Sequence, residues 1–335
     1  MATARCTWTD VSGVDGYNVY LKSNGEFVKQ NSELITETVY DIENLEDGNY
    51  EAYATSVLNS VESDASNVKG FLITLAEIEV FAADGTWDWT AAGQPATVDV
   101  LVVAGGGGGG WRGGNDGGGG GGGAGGLLWE EGVSVSSNVS ITVGGGGSPV
   151  SESQGEQGGN SSFGIIEAIG GGGGGRFDIG GGNGGSGGGA AARGSLSDGD
   201  GGLSTEGQGH DGGDRVFTSG GTSDNSGGAS GGGAGGRGND TINDFDGREG
   251  GAGLDFSDQF GTGVGVNGRF AGGGAGGPNS SLGGVYPSSV DGGGGDGNQD
   301  GISNTGSGGR GGGDDASPAP GTGGSGIVIV RWIRP

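Results

Sequence analysis

Residues able to do covalent chemistry are scarce in this chain of 335 residues. The one histidine, His210, lies in the glycine-rich stretch "GHDGGDRVFT" with no evident nucleophile beside it. A base without an oriented nucleophile does not make a catalytic pair. Cys6 is the only cysteine, which excludes an intrachain disulfide and a Cys-based zinc site. Asp and Glu number 41, enough for the carboxylate pairs of glycoside hydrolysis, but no motif places them. The acidic residues read as solvating, and no enzymatic activity is expected.

Residue types that bind surfaces recur instead. They interrupt the glycine runs: "WRGGND" with Trp111 and Arg112, "GRFDIG" with Arg176 and Phe177, and "GHDGGDRVFT" with Phe217 at its end. Further interruptions are "TINDFDGRE" with Phe245, "LDFSDQF" with Phe256, and "GGVYPSS" with Tyr286. Aromatic or arginine side chains among small polar residues suit contacts with sugars and protein surfaces. The plainer reading is that these rings cap the glycine segments as small local cores. One stretch suggests a cation: "GGRGNDTIN", Gly235–Asn243, fits the calcium-binding nonapeptide with Asp240 in place. The next match, "GGAGLDFSD", starts fifteen residues on and puts Ser257 where an apolar residue belongs. A calcium roll repeats every nine residues, so Asp240 is a weak Ca²⁺ candidate and no metal or other cofactor is expected.

Composition defines what must carry these loops. Ninety-six residues are glycine, fewer than ten of them before Gly105, so the rest of the chain is over a third glycine. Collagen is excluded, because there is no G-X-Y period and only seven prolines. The formal net charge of −27 disfavours nucleic acid, whose phosphates need clustered Lys and Arg. No apolar run approaches the roughly 18 residues of a membrane span, no secretory leader is visible, and membrane insertion is not expected.

Residues 1–75 read as short strands between turns. "ARCTWTDV" alternates with Cys6 and Trp8 on one side, and "GYNVYLK" puts Tyr17, Val19 and Leu21 on one face. Asn24-Gly25 is a hairpin signal, and two more strands flank Asp47-Gly48. The spacing suggests a β-sandwich. It resembles a fibronectin type III domain, with Trp8 at the core tryptophan and Leu45, Gly48 and Tyr50 at the tyrosine corner. The family's first strand has no counterpart before Ala4. The resemblance implies a spacer or attachment module.

From residue 76 to 335, strands join glycine blocks repeatedly: "VDVLVVAGGGGGG", "SITVGGGG", "SSFGIIEAIGGGGGG", "GRFAGGGAGG" and, reversed, "GTGGSGIVIVRW". A flexible linker has no reason for that coupling. The expected arrangement is polyglycine II: extended three-residue-per-turn helices lying side by side, their backbone groups satisfying one another between segments. Gly105–Gly110, Gly117–Gly123 and Gly170–Gly175 are expected to pack together. Val100–Val103 and Ile327–Val330 are expected to share one β-structure. The fold class is therefore mainly β: a sandwich, then a short β-structure carrying a polyglycine II domain with irregular loops.

Residues 77–333 resemble the glycine-rich domains of phage tail-fibre and adhesin proteins, on "GTWDWTAAGQPATVDVLVVAGGGGGG" at the entry and "GGSGIVIVRW" at the exit. The resemblance implies a virion protein of the distal tail fibre that binds a bacterial surface receptor, glycan or outer-membrane protein, through its loops. Partners would include other tail-fibre or baseplate proteins and further copies of the chain, a trimer being preferred to a monomeric tip cap. The alternatives are a purely structural fibre or surface-filament subunit and an exported calcium-dependent bacterial adhesin.

Overall fold

A computed structural model describes residues 2–23, 25–46, 48–73, 76–111, 117–150, 153–176, 179–192, 200–216, 227–241, 245–287, 291–296, 300–314 and 319–334. The protein is mainly β. It divides into two compact units, Met1–Glu77 with Ile333–Pro335, and Ile78–Trp332.

The first unit holds β1 (Ala2–Thr7), β2 (Gly16–Lys22), β3 (Val28–Lys29), β4 (Val39–Leu45), β5 (Gly48–Leu58), β6 (Val61–Glu62) and β7 (Lys69–Ile73). β1 pairs antiparallel with β4. The second sheet runs β3-β2-β5-β6, with β7 also on β5. Alternation buries Tyr50, Ala52 and Ala54 along β5, as expected for a strand with one face on a core. Val19, Ile42, Leu45, Tyr50 and Ala54 form that core between the sheets.

The second unit begins on β8 (Ala76–Phe81), β9 (Gly85–Trp87) and β10 (Thr97–Val103). β11 (Leu127–Ser134), β12 (Val139–Thr142), β13 (Ser161–Phe163), β14 (Ile166–Ala168) and β17 (Ile327–Ile333) follow from distant parts of the chain. Between the last two lie a short pair, β15 (Leu254–Asp255) and β16 (Arg269–Phe270), and one helical turn, α1 (Ser257–Phe260). The strand orders are β11-β10-β17-β8 and β14-β13-β12-β9. β10 pairs antiparallel with β17, so the two apolar runs share one sheet as expected, with Val100 opposite Val330 and Val103 opposite Ile327. Both strands are covered on both faces. Val100, Val102, Val328 and Val330 pack with Trp87, Ile141, Phe163 and Trp332. Leu101, Val103, Ile327 and Ile329 pack with Leu127, Phe256 and Phe270. Burial on two sides is why these strands are unbroken apolar runs. Trp87 is fully buried on β9.

The glycine runs leave this base as extended segments bonded to one another. Every third residue returns to the same neighbour. Ala104, Gly107 and Gly110 donate to the carbonyls of Gly126, Gly123 and Gly120, each at 2.9 Å. Gly105 and Gly108 donate to Gly159 and Glu156, and Gly106 and Gly109 to Gly324 and Gly321, also at 2.9 Å. The same segment accepts bonds from residues 144–148, 169–175 and 306–312, so six segments surround it. Segment 117–126 is likewise enclosed, by 104–110, 169–175, 186–192, 227–233, 273–277 and 306–312. This is polyglycine II packing: a helix of three residues per turn with no internal bonds, its donors and acceptors all used sideways.

Conformational freedom does not explain these glycines. Neither Gly105–Gly110 nor Gly118–Gly126 has positive φ. Close approach does. A β-carbon on Gly107 would overlap the carbonyl of Gly172, and one on Gly120 that of Gly189. Where the lattice meets the apolar base, Ala124, Ala234 and Ala271 pack into the cluster around Phe270.

Candidate functional site at the loop end of the glycine lattice

The hydrogen-bond register sorts the segment ends into two groups. Ala104, Gly126, Ile169 and Gly306 meet in one layer next to the strands. At the other end Gly110 bonds to Gly120, Gly120 to Gly175, Gly119 to Gly312, Gly277 to Gly119, Gly228 to Gly277 and Ala192 to Gly118. From this far layer the chain departs toward Trp111, Arg176, Phe245 and Tyr286. Among the described residues, Trp111, Arg176, Phe245 and Tyr286 therefore collect at one end, and Phe256 does not.

Trp111 is half-buried, its indole lying over Gly312, where a β-carbon would come within 2.7 Å of Cδ1. Among the described residues its buried indole N–H has no hydrogen-bond partner. Arg176 and Ile179 exchange backbone bonds of 3.0 and 2.9 Å. The Tyr286 hydroxyl donates to the carbonyl of Gly311 at 2.6 Å. Burial pushes this phenol up to about 12, against the opposing pull of the Arg310 guanidinium. Phe245 keeps 42% of its surface exposed. Arg112, Phe177 and Phe217 lie outside the described residues.

Phe256 sits at the strand end and is buried. Its ring packs 5.7 Å from Trp129 and 6.4 Å from Phe270. The reason is local: Phe256 and Phe260 flank one turn of helix, and residues four apart share a helical face. That face closes the core instead of meeting solvent, which removes Phe256 from the candidate surface.

Sequence reasoning passed over aliphatic residues beside Phe245. Leu282 and Val285 are 46% and 62% exposed, and backbone bonds hold their loop against that of Phe245. The Asn279 amide donates to the Phe245 carbonyl at 2.8 Å, and the Gly247 amide to the Val285 carbonyl at 3.0 Å. The signal in sequence is "SSLGGVYP", where Leu282 and Val285 stand among residues too small to bury them.

The carboxylates do more than solvate. Asp314, fully buried, accepts the Ser280 and Ser281 amides at 3.1 and 3.0 Å, and Asp246 accepts the Val285 amide at 2.9 Å. Asp214, Asp211 and Asp300 likewise accept backbone amides. Glycine segments have no side chains to satisfy donors at their ends, and charge-assisted acceptors fill that need. Asp211, bonded by the backbone and hydroxyl of Ser204, is held below the ordinary carboxylate range. Asp240 belongs to the same system: its Oδ1 accepts the Asp214 amide at 2.8 Å and Arg237 Nη1 at 2.7 Å. A guanidinium already supplies the positive charge there. Among the described residues no cluster of three or more His, Cys, Asp or Glu is placed to hold a metal ion. His210 is exposed, and its backbone is part of the lattice.

These features define a class of protein: a β-structured base carrying a bundle of polyglycine helices with loops at the far end. Residues 82–333 match the glycine-rich domain family, and the chain belongs to that family. No curated protein matches the chain.

Proposed function

We propose that this is a non-enzymatic virion protein, the distal receptor-binding adhesin of a bacteriophage tail fibre. The observation that carries the reading is the gathering of exposed Phe245, Leu282 and Val285, with Trp111 and Arg176, on one end of a lattice bonded throughout. A surface fixed before binding loses less entropy on contact. Copies of the chain on one particle, a trimer in the simplest case, would let each site bind weakly and still hold. The partner at this end is a bacterial surface receptor, glycan or outer-membrane protein.

The first unit fits the attachment side, toward other tail-fibre or baseplate proteins. Its two facing sheets support the fibronectin type III likeness. So does the Tyr50 hydroxyl, which donates to the Glu46 carbonyl at 3.1 Å in the manner of a tyrosine corner.

The test is adsorption of the purified protein to candidate host cells. The double variant Phe245→Ala/Val285→Ala should fold like the parent and bind at least about tenfold more weakly, as hot-spot truncations do. If that variant and the corresponding Trp111→Ala/Tyr286→Ala pair both fold and adsorb like the parent, the rings are end caps. The protein is then a structural fibre subunit.

A further inference from the structure

The lattice interior and its outer corner around Arg237 are joined by different kinds of bond. Inside, neutral backbone groups bond to one another, as Gly120 does to Gly175 and Gly123 to Gly172. At the corner charged side chains take over. Arg237 Nη2 meets Asp214 Oδ2 at 2.5 Å, and Nη1 meets Asp240 Oδ1 at 2.7 Å. Every polar group of Asp214 is engaged. Its Oδ1 accepts the Gly201 amide at 2.7 Å, its amide donates to Asp240 Oδ1 at 2.8 Å, and its carbonyl accepts the Thr241 amide at 2.9 Å. The Val216 amide then donates to the Thr241 hydroxyl at 3.0 Å. Asp211 adds a second tie, accepting the Ser204 amide and hydroxyl at 2.7 and 2.8 Å. Three outer segments, 200–205, 211–216 and 237–241, are thus fastened around one guanidinium.

We infer that this corner is an ionic clasp that opens with rising salt, freeing the stems at Val216 and Thr241 while the lattice interior stays closed. The side chains of Arg237, Asp214 and Asp240 are 43, 42 and 37% exposed, so dissolved ions reach them. Screening weakens exposed charge pairs and leaves neutral backbone bonds unaffected. Apolar burial adds little here, since Leu203 and Val216 are 61% and 40% exposed. Charge also sets the sign. With Arg237 in place, attraction at two contacts outweighs the repulsion between Asp214 and Asp240; without it only the repulsion is left. The stem at Thr241 continues to Phe245, so the clasp governs how firmly that side of the loop end is held. It acts in this way whatever the loop end binds.

The test is hydrogen exchange on the full chain as sodium chloride rises from about 0.01 M to about 1 M, which shortens the Debye length from about 30 Å to about 3 Å. Protection of the Gly201, Asp214, Val216 and Thr241 amides should fall about fivefold, measured against Gly120 and Gly123 in the same sample. In Arg237→Gln the sign should reverse: protection of the four amides is about fivefold lower than in the parent at low salt and rises as salt is added. Arg237→Lys, which keeps the charge, should respond in the parent's direction. If Arg237→Gln does not fold, the parent's salt series decides the question alone. The proposal is overturned if the parent's four amides follow Gly120 and Gly123 at every salt concentration. Arg237→Gln losing protection with salt as the parent does would overturn it as well.

Discussion

The two units hold themselves together by opposite means. In the first, stability resides in side chains: Val19, Ile42, Leu45 and Tyr50 bury apolar surface between two sheets, at roughly 25 cal/mol per Å². In the glycine lattice there are almost no side chains to bury, and backbone bonds between segments take their place, each contributing about 0.5–1.5 kcal/mol net. A sandwich core is damaged by removing atoms and a glycine lattice by adding them. The lattice thereby places its stability in backbone bonds and leaves side chains such as Phe245 and Val285 at its far end exposed.

The largest effect should come from cutting the strand that joins lattice to base. Deleting residues 326–335 removes β17 and with it the partner of β10 along Val100–Val103. Hydrogen exchange across segments 104–110 and 117–126 should then lose its protection. Protection equal to that of the full chain would show that the lattice stands without its β-base.

Next is a test of addition against removal. Gly172→Val would drive a β-carbon into the carbonyl of Gly182, and a destabilisation of more than about 3 kcal/mol is expected, beyond the usual cost of overpacking, because backbone must move. Gly145 lies in the neighbouring run Gly144–Gly147, but a β-carbon there meets nothing within 4 Å. Gly145→Ala should change stability by less than about 0.5 kcal/mol. Equal effects in denaturant titrations would remove the distinction between packed and open glycines.

Removal should hurt the first unit instead. Ile42→Ala opens a cavity in the sandwich core, at a cost of about 2–5 kcal/mol. Exchange protection should fall within residues 2–73 and stay unchanged in segments 104–126. A loss of protection in the lattice would mean that the two regions do not unfold as separate units.

The smallest expected effect isolates one side chain at the loop end. Tyr286→Phe deletes the bond to Gly311 and should cost about 1 kcal/mol at neutral pH. The folded phenol titrates near 12, above its ordinary value of 10.0. The folded state therefore holds this proton more tightly than the unfolded chain. Its contribution is complete below pH 10 and is lost as pH rises toward 12. The parent should lose stability through that window by up to about 1.4 kcal/mol per pH unit from this group. The difference from Tyr286→Phe in urea titrations at pH 9, 10 and 11 measures it, and a gap independent of pH would place the phenol in solvent.

Much of this architecture is legible in the sequence. The jump in glycine content marks the start of the lattice, and the repeated strand-to-glycine joins imply that it is ordered. The matching runs "VLVV" and "IVIV" identify the two strands that close the base, because only strands covered on both faces are apolar without interruption. The sequence by itself also excludes an intrachain disulfide and disfavours nucleic acid, through one cysteine and a charge of −27.

What only the tertiary structure decided is who faces whom. Gly145 and Gly147 look alike in sequence, yet a β-carbon on Gly147 would overlap the carbonyl of Glu156 while one on Gly145 meets open space. Phe245 and Phe256 stand in similar polar settings, yet one is exposed and the other lies in the core. Asp314 reads as one more surface acid, yet it is buried under two amides. The physical reason is common to all three. A run of identical residues carries no pattern of inward and outward faces, and the bonds that orient each segment come from chain up to about two hundred residues away, as between Gly109 and Gly321. Position within such a lattice is a property of the assembled bundle, and no local stretch of sequence encodes it.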